Sequence, residues 1–146
     1  MKLTAAVKFT PRNDLGQFIK QRITPGVVAS VKAACSLVVD RAKQLVPVDT
    51  GELRNSIGYQ VDVREMRITG VVFANADHAG YVEFGTGRAG AASKNPGPYP
   101  YNPNWPGMRA QPYLRLALDE TQGIIIVLFK SQINLQRTPY LTGGPF

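Results

Sequence analysis

Apolar and polar positions change their period several times along this chain. Leu3, Ala5, Val7 and Phe9 alternate with Lys2, Thr4, Ala6 and Lys8, the period-two pattern of a half-buried strand near a sheet edge. Pro11-Arg12-Asn13-Asp14 reads as a turn. Residues 15–23 read as a short helix with Leu15, Phe18, Ile19 and Ile23 on one side. Thr24 as N-cap and Pro25 at the first helical position then restart a helix. Val27, Val31, Ala34, Cys35, Val38, Ala42 and Leu45 recur at steps of three and four, the clearest helical stripe in the chain, long enough to span about 30 Å. Lys32, Asp40, Arg41 and Lys43 lie off that stripe.

The segment after this helix, from Val46-Pro47-Val48-Asp49-Thr50-Gly51 to Glu52-Leu53-Arg54-Asn55-Ser56-Ile57, reads as a helix-to-sheet corner. Pro47 ends the incoming helix by pushing the residue before it out of the helical region. Asp49 precedes Glu52 by three residues, the spacing of a capping box, and Asp49 or Thr50 is expected to accept from the first free N–H groups of a new short helix. Leu53 and Ile57, four apart, share one face. Ser56-Ile57-Gly58 releases the chain into a strand.

Beyond the corner, Ile57, Tyr59, Val61 and Val63 alternate with Gly58, Gln60, Asp62 and Arg64. A turn near Arg64-Glu65 leads into residues 66–74, rich in β-branched side chains, so a β-hairpin is expected. Asn75-Ala76-Asp77-His78 is a further break, followed by Tyr81-Val82-Glu83-Phe84 and Gly85-Thr86-Gly87. From 87 to 110 the composition shifts: 24 residues hold five prolines, four glycines, Tyr99, Tyr101 and Trp105, with three basic residues and no acid. A loop this long is commonly functional, and its aromatics suit either docking on a partner or a flap over the chain's own core. Gln111-Pro112-Tyr113-Leu114 opens the last helix, with Leu114, Leu118, Ile125 and Leu128 as its stripe. Residues 123–129 are apolar nearly all round, which suggests burial against a neighbouring subunit, although the β-branched run Ile124-Ile125-Ile126-Val127 also suits a strand. The tail, 136–146, reads as extended and ends at Phe146, in reach of a neighbour.

Composition narrows the classes. The 146 residues suit one domain, 1–146, able to bury about two-thirds of its unfolded surface. Apolar content is 44% and charged content only 18%, with 14 Gly and 11 Pro. The net charge of +7 favours anionic partners, but the 17 basic residues are dispersed and form no arm of the nucleic-acid type. One cysteine, Cys35, excludes an internal disulfide framework and a Cys-rich zinc site. No secretory leader is visible at the N-terminus, and residues 124–129 are far too short an apolar run to cross a bilayer. A soluble protein made in a cytoplasm is expected.

Catalytic chemistry finds little support. Gly85-Thr86-Gly87-Arg88-Ala89-Gly90 has the letters of a dinucleotide fingerprint, but the motif needs a strand before and a helix after it, and no acid lies between Glu83 and Asp119. His78, next to Asp77, has no companion at metal-ligand spacing. Ser56 and Ser93 have no partner histidine in sequence context. Glu83, beside Phe84, is expected to be partly buried and to need a cation, with Arg54 the candidate. Arg88, Lys94 and Arg109 with Tyr99 and Trp105 could form a surface for single-stranded nucleic acid, so a small basic nucleic-acid-binding domain is the alternative reading. No enzyme, metal or cofactor is expected.

Three segments resemble a known family. Residues 46–57 resemble the PVDTGxLRxSI signature of the tail-completion, or tail-to-head joining, proteins of tailed phages. Tyr81-Val82-Glu83-Phe84-Gly85-Thr86 resembles that family's YVEFGT segment, and Gln111-Pro112-Tyr113-Leu114-Arg115-Leu116-Ala117-Leu118 its QPFLRPAL helix start. The match departs at Tyr113 and Leu116. The resemblance implies an α+β fold, a small, mostly antiparallel β-sheet packed by one long helix in the N-terminal half and one in the C-terminal half. It implies a virion protein of the neck, assembled in the host cytoplasm: a homo-oligomeric ring, expected to be a hexamer, that caps the tail tube or its terminator protein and joins the head-tail connector (adaptor or stopper) proteins. DNA passes through the lumen without sequence-specific binding. Pro47, Asp49, Thr50, Gly51, Leu53, Arg54, Ser56, Glu83, Gly85, Thr86 and Pro112 are then fold-building motif residues. Composition places the joining contacts at Tyr99, Tyr101, Trp105 and Arg109 in the loop, at Ile124, Val127 and Phe129 on the last helix, and at Phe146 in the tail.

Overall fold

The computed structural model describes residues 3–9, 24–64 and 67–137. In chain order the elements are β1 (Leu3–Phe9), α1 (Thr24–Leu45), α2 (Glu52–Ser56), β2 (Ile57–Arg64), β3 (Arg67–Ala74), α3 (Ala79–Phe84), α4 (Gly87–Ala91) and α5 (Leu114–Arg137). The expected turn at 11–14, the short helix at 15–23 and the tail beyond Arg137, Phe146 included, lie outside the described residues. So do Glu65 and Met66 at the hairpin turn.

The expected α+β architecture is present. The hairpin partners β2 and β3 pair antiparallel from Ile57 opposite Ala74 to Arg64 opposite Arg67. β1 pairs antiparallel with the other edge of β3, Leu3 opposite Ala74 and Phe9 opposite Ile68. The order β1-β3-β2 puts the second hairpin strand in the centre, and β3 shows it: Ile68, Gly70, Val72 and Ala74 are buried while Arg67, Thr69, Val71 and Phe73 are less so. α1 packs against β2 and β3 and also against α5.

The stripe read from the sequence is what α1 buries. Val27, Val31, Ala34, Cys35, Val38 and Ala42 are all in the core, and Leu45 packs against it. Val39 joins them, because α1 has neighbours on two sides and its buried arc is wider than one stripe, and Val46, just past the helix end, is buried too. Tyr113, Leu114, Ala117 and Ile125 supply the α5 side of the same core. An Arg41–Glu120 ion pair bridges α1 and α5 at the surface, where such pairs contribute little.

The corner forms, but not by the expected capping box. The residue before α2 is Gly51, at φ 86°, which has no side chain with which to cap the helix. The left-handed turn at Gly51, natural for glycine, sets the direction of the short helix, while Asp49 and Glu52 are both exposed. Thr50 Oγ1 accepts from Glu52 N–H at a long 3.4 Å. Leu53 and Ile57 are buried as expected. Ser56 Oγ donates to Leu53 O at 2.8 Å, and Asn75 N donates to Ser56 O at 3.2 Å, tying the corner to the end of β3. α1 ends at Leu45, two residues before Pro47. Residues 124–127 belong to the helix α5, not to a strand.

The hairpin outruns the core. On the helix-facing side of β2, Ile57 is 3% exposed, but Tyr59 is 39% and Val63 48% exposed. Val61, between Tyr59 and Val63, still packs against the core, so cover is lost fully only at the outer end, where Asp62 pairs with Arg64 at 2.7 Å.

Candidate functional site

The region after β3 is built around one carboxylate. Glu83, on α3, is only 3% exposed. Its Oε2 accepts the backbone N–H of Tyr113 at 2.8 Å and of Leu114 at 2.9 Å, and its Oε1 accepts from Arg115 N–H at 3.0 Å. These are donors at the start of α5, which no intrahelical carbonyl can satisfy. The glutamate is thus a long-range helix cap, favoured by the positive end of the helix. The expected ion pair with Arg54 does not form: Arg54 is exposed on α2, and both Glu83 oxygens are taken by backbone. Sequence did carry a signal for this. Gln111-Pro112-Tyr113 offers no Ser, Thr, Asp or Asn next to the helix start, so the cap had to come from elsewhere.

Tyr113 is fully buried beneath this latch. Burial, with the nearby Glu83 charge second, pushes its phenol well above the usual range. Its hydroxyl lies 3.5 Å from Ala79 O, at the limit of a hydrogen bond.

The 87–110 segment is ordered against the chain that precedes it. Its first five residues are the helix α4, where a loop was expected. Thr86 N donates to Met108 O at 2.8 Å, and Met108 N donates to Thr86 Oγ1 at 2.9 Å. Arg88 N and Ala89 N donate to Trp105 O and Pro106 O, both at 3.0 Å, and Gln111 N donates to Val82 O at 2.8 Å. The returning leg needs glycine where the two backbones meet. Gly107 has φ +70°, and a Cβ there would stand 1.9 Å from Thr86 O.

Tyr99 and Tyr101 pin the loop from inside. Tyr99 Oη donates to Gly85 O at 2.6 Å, and Tyr101 Oη accepts from Gly97 N at 2.6 Å and donates to Phe84 O at 3.3 Å. The Tyr99 ring meets Tyr81 edge-on at 5.7 Å and lies 4.9 Å from Tyr101. Burial first, then the Tyr101 hydrogen bond and the charges of Tyr101 and Tyr81, raise the Tyr99 phenol well above its usual value. The flap reading describes these two tyrosines. Trp105 is different: it is 51% exposed, near exposed Met108 and Arg109.

The last helix has two unlike sides. Ile125 is buried and Phe129 packs on the core, whereas Ile124, Ile126 and Val127 are 54%, 46% and 64% exposed. Of the residues expected at an interface, Ile124 and Val127 therefore stand free on the surface of the chain, Phe129 is largely committed to its own core, and Phe146 lies outside the described residues.

Between α4 and the start of α5 lies a cavity of about 580 Å³ whose wall includes Lys94, Arg109 and Arg115. The dinucleotide letters at 85–90 join two helices, α3 and α4, with no strand before them. Among the described residues, no group of His, Cys, Asp and Glu could hold a metal ion, and no helix is long and apolar enough to cross a membrane.

A family model described as "Bacteriophage HK97-gp10, putative tail-component" matches residues 13–85. The match takes in α1, the corner, the hairpin and α3 with Glu83. No curated protein and no solved structure matches the chain.

Proposed function

Because this chain belongs to the HK97-gp10-like family of phage tail components, we propose that it is a subunit of a ring, a hexamer, capping the head-proximal end of the tail tube. In that position it joins the tail to the connector of the DNA-filled head and has no catalytic role. The observation that carries this reading is the outer side of α5. Ile124, Ile126 and Val127 leave branched apolar surface exposed on a helix whose other side already serves the core. Exposed apolar surface of this kind marks contact with another protein chain, and repetition of one such contact between copies closes a ring when the rotation permits. The protruding hairpin, with Tyr59 and Val63 exposed, and the Trp105 end of the loop offer further surfaces directed at other neck or tail proteins.

Electron microscopy of purified tails mixed with the protein tests this reading. A closed ring of six copies at the tail end that faces the head is the expected result. Bare tail ends in the presence of folded protein would refute it.

A further inference from the structure

We infer that the cavity between α4 and the start of α5 is a receptor for a carboxylate side chain presented by a different, acidic protein. Three cations, Lys94, Arg109 and Arg115, line it, against one acid, Glu83. That acid is already committed to three backbone N–H groups of α5. Among the described residues, neither Lys94 nor Arg109 is in an ion pair. Arg115 is held in place: the Asn95 amide oxygen, turned to suit its neighbours, accepts from its two Nη atoms at 2.8 and 3.2 Å. The cavity wall also contains Ser93, whose hydroxyl is shielded from solvent and has no hydrogen-bond partner within the chain. A shielded hydroxyl without a partner is costly unless a ligand completes it, and guanidinium forks suit a planar carboxylate.

The shape favours a point anion over a polyanion. The rest of the wall is small and apolar, with Ala89, Ala92, Ala110 and Pro112. It contains no aromatic ring on which a base could stack, as single-stranded nucleic-acid sites use. The three cations line the same cavity. A second copy is a poor occupant of this cavity, since the chain has 10 acidic residues against 17 basic ones and so offers few carboxylates. The inference rests on the tail-component reading for the source of the acidic segment, a neighbouring virion protein.

The test uses the isolated full-length chain, so it stands or falls separately from the microscopy of tails. Amide NMR shifts are followed during titration with a capped tetraglutamate peptide, a capped tetraglutamine control, inorganic phosphate and a short single-stranded DNA. Saturable shifts at Ser93, Lys94, Asn95, Arg109 and Ala110 with the glutamate peptide are expected, together with weaker responses to the other three probes. Arg109→Glu should weaken the peptide about tenfold, the loss of one charge-assisted contact, and Ser93→Ala should weaken it without changing the fold. Arg109 is exposed, so circular dichroism of Arg109→Glu should match the parent. The inference is overturned if shifts fail to saturate, if charge reversal leaves the peptide affinity unchanged, or if phosphate or DNA binds the cavity more tightly than the peptide.

Discussion

Glu83 and Tyr113 stand thirty residues apart, and the carboxylate of one accepts the backbone N–H of the other at 2.8 Å. The same carboxylate takes the next two N–H groups, so one side chain satisfies three of the orphan donors at the helix start. Glu83→Ala leaves three buried donors without partners and should cost about 3 kcal/mol. Glu83→Gln keeps one acceptor oxygen and should fall between the two. Urea unfolding midpoints of the three proteins give the order.

Two glycines make opposite predictions. Gly107→Ala places a methyl against Thr86 O at a left-handed backbone position, and the conformational strain alone is about 1–2 kcal/mol. The returning leg at 105–108 should detach and become a site of rapid proteolysis. Gly123 lies inside α5, with nothing within 4 Å of an added Cβ. Gly123→Ala should raise stability by up to about 1 kcal/mol through helix propensity. Limited proteolysis and thermal unfolding, run on both variants, separate the two effects.

Alkaline pH should destabilise the chain through its buried phenols. Tyr99 and Tyr113 have raised pKa values in the folded state, so folding favours their neutral forms. That contribution is complete below the unfolded phenol value of about 10 and is lost as pH rises through the higher folded values. Following phenolate absorbance during an alkaline titration should show these two tyrosines ionising last and together with unfolding. Tyr113→Phe should shrink the alkaline loss while preserving the fold, because the hydroxyl has only a marginal partner at 3.5 Å.

Val127→Glu should leave the isolated chain folded, since Val127 is 64% exposed and surface changes of this kind shift stability by within about 0.5 kcal/mol. Its effect should fall on association. Sedimentation velocity should show the variant as a monomer at concentrations where the parent assembles. Ile125→Glu, two residues away on the other side of the helix and 8% exposed, should instead unfold the chain.

The parts of the fold that a single period dictates were readable in advance. Val27 to Ala42 repeat at helical steps and are buried as read, and the alternation from Ile57 to Val63 does mark a strand. What periodicity cannot report is where cover ends, so Tyr59 and Val63 share the inward side of β2 with Ile57 yet lie exposed. Local spacing also misled at the corner. Asp49 and Glu52 have capping-box spacing, but the left-handed Gly51 between Asp49 and the helix redirects the chain. Glu83 was recognisable as a buried acid in need of a partner; that the partner is three peptide N–H groups depends on a contact across thirty residues, which no local pattern encodes. The exposed side of α5 was anticipated because residues 123–129 have no polar side to give to water. The cavity was not, because Lys94, Arg109 and Arg115 are brought together only by the return of the loop.

The flap is pinned at both feet, by Thr86 with Met108 and by Glu83 with the start of α5, and from inside by Tyr99 and Tyr101, which leaves only the tip beyond the two tyrosines as an exchangeable cassette. Once the feet are fixed, doubling the length of chain that joins them costs only about 0.6 kcal/mol in closure entropy. The core that α1, the sheet and α5 share does not depend on what the tip contains. Insertions and substitutions at the exposed tip, residues 102–104, can therefore accumulate at little cost, and one scaffold can be refitted to neighbours of different shape without being folded anew.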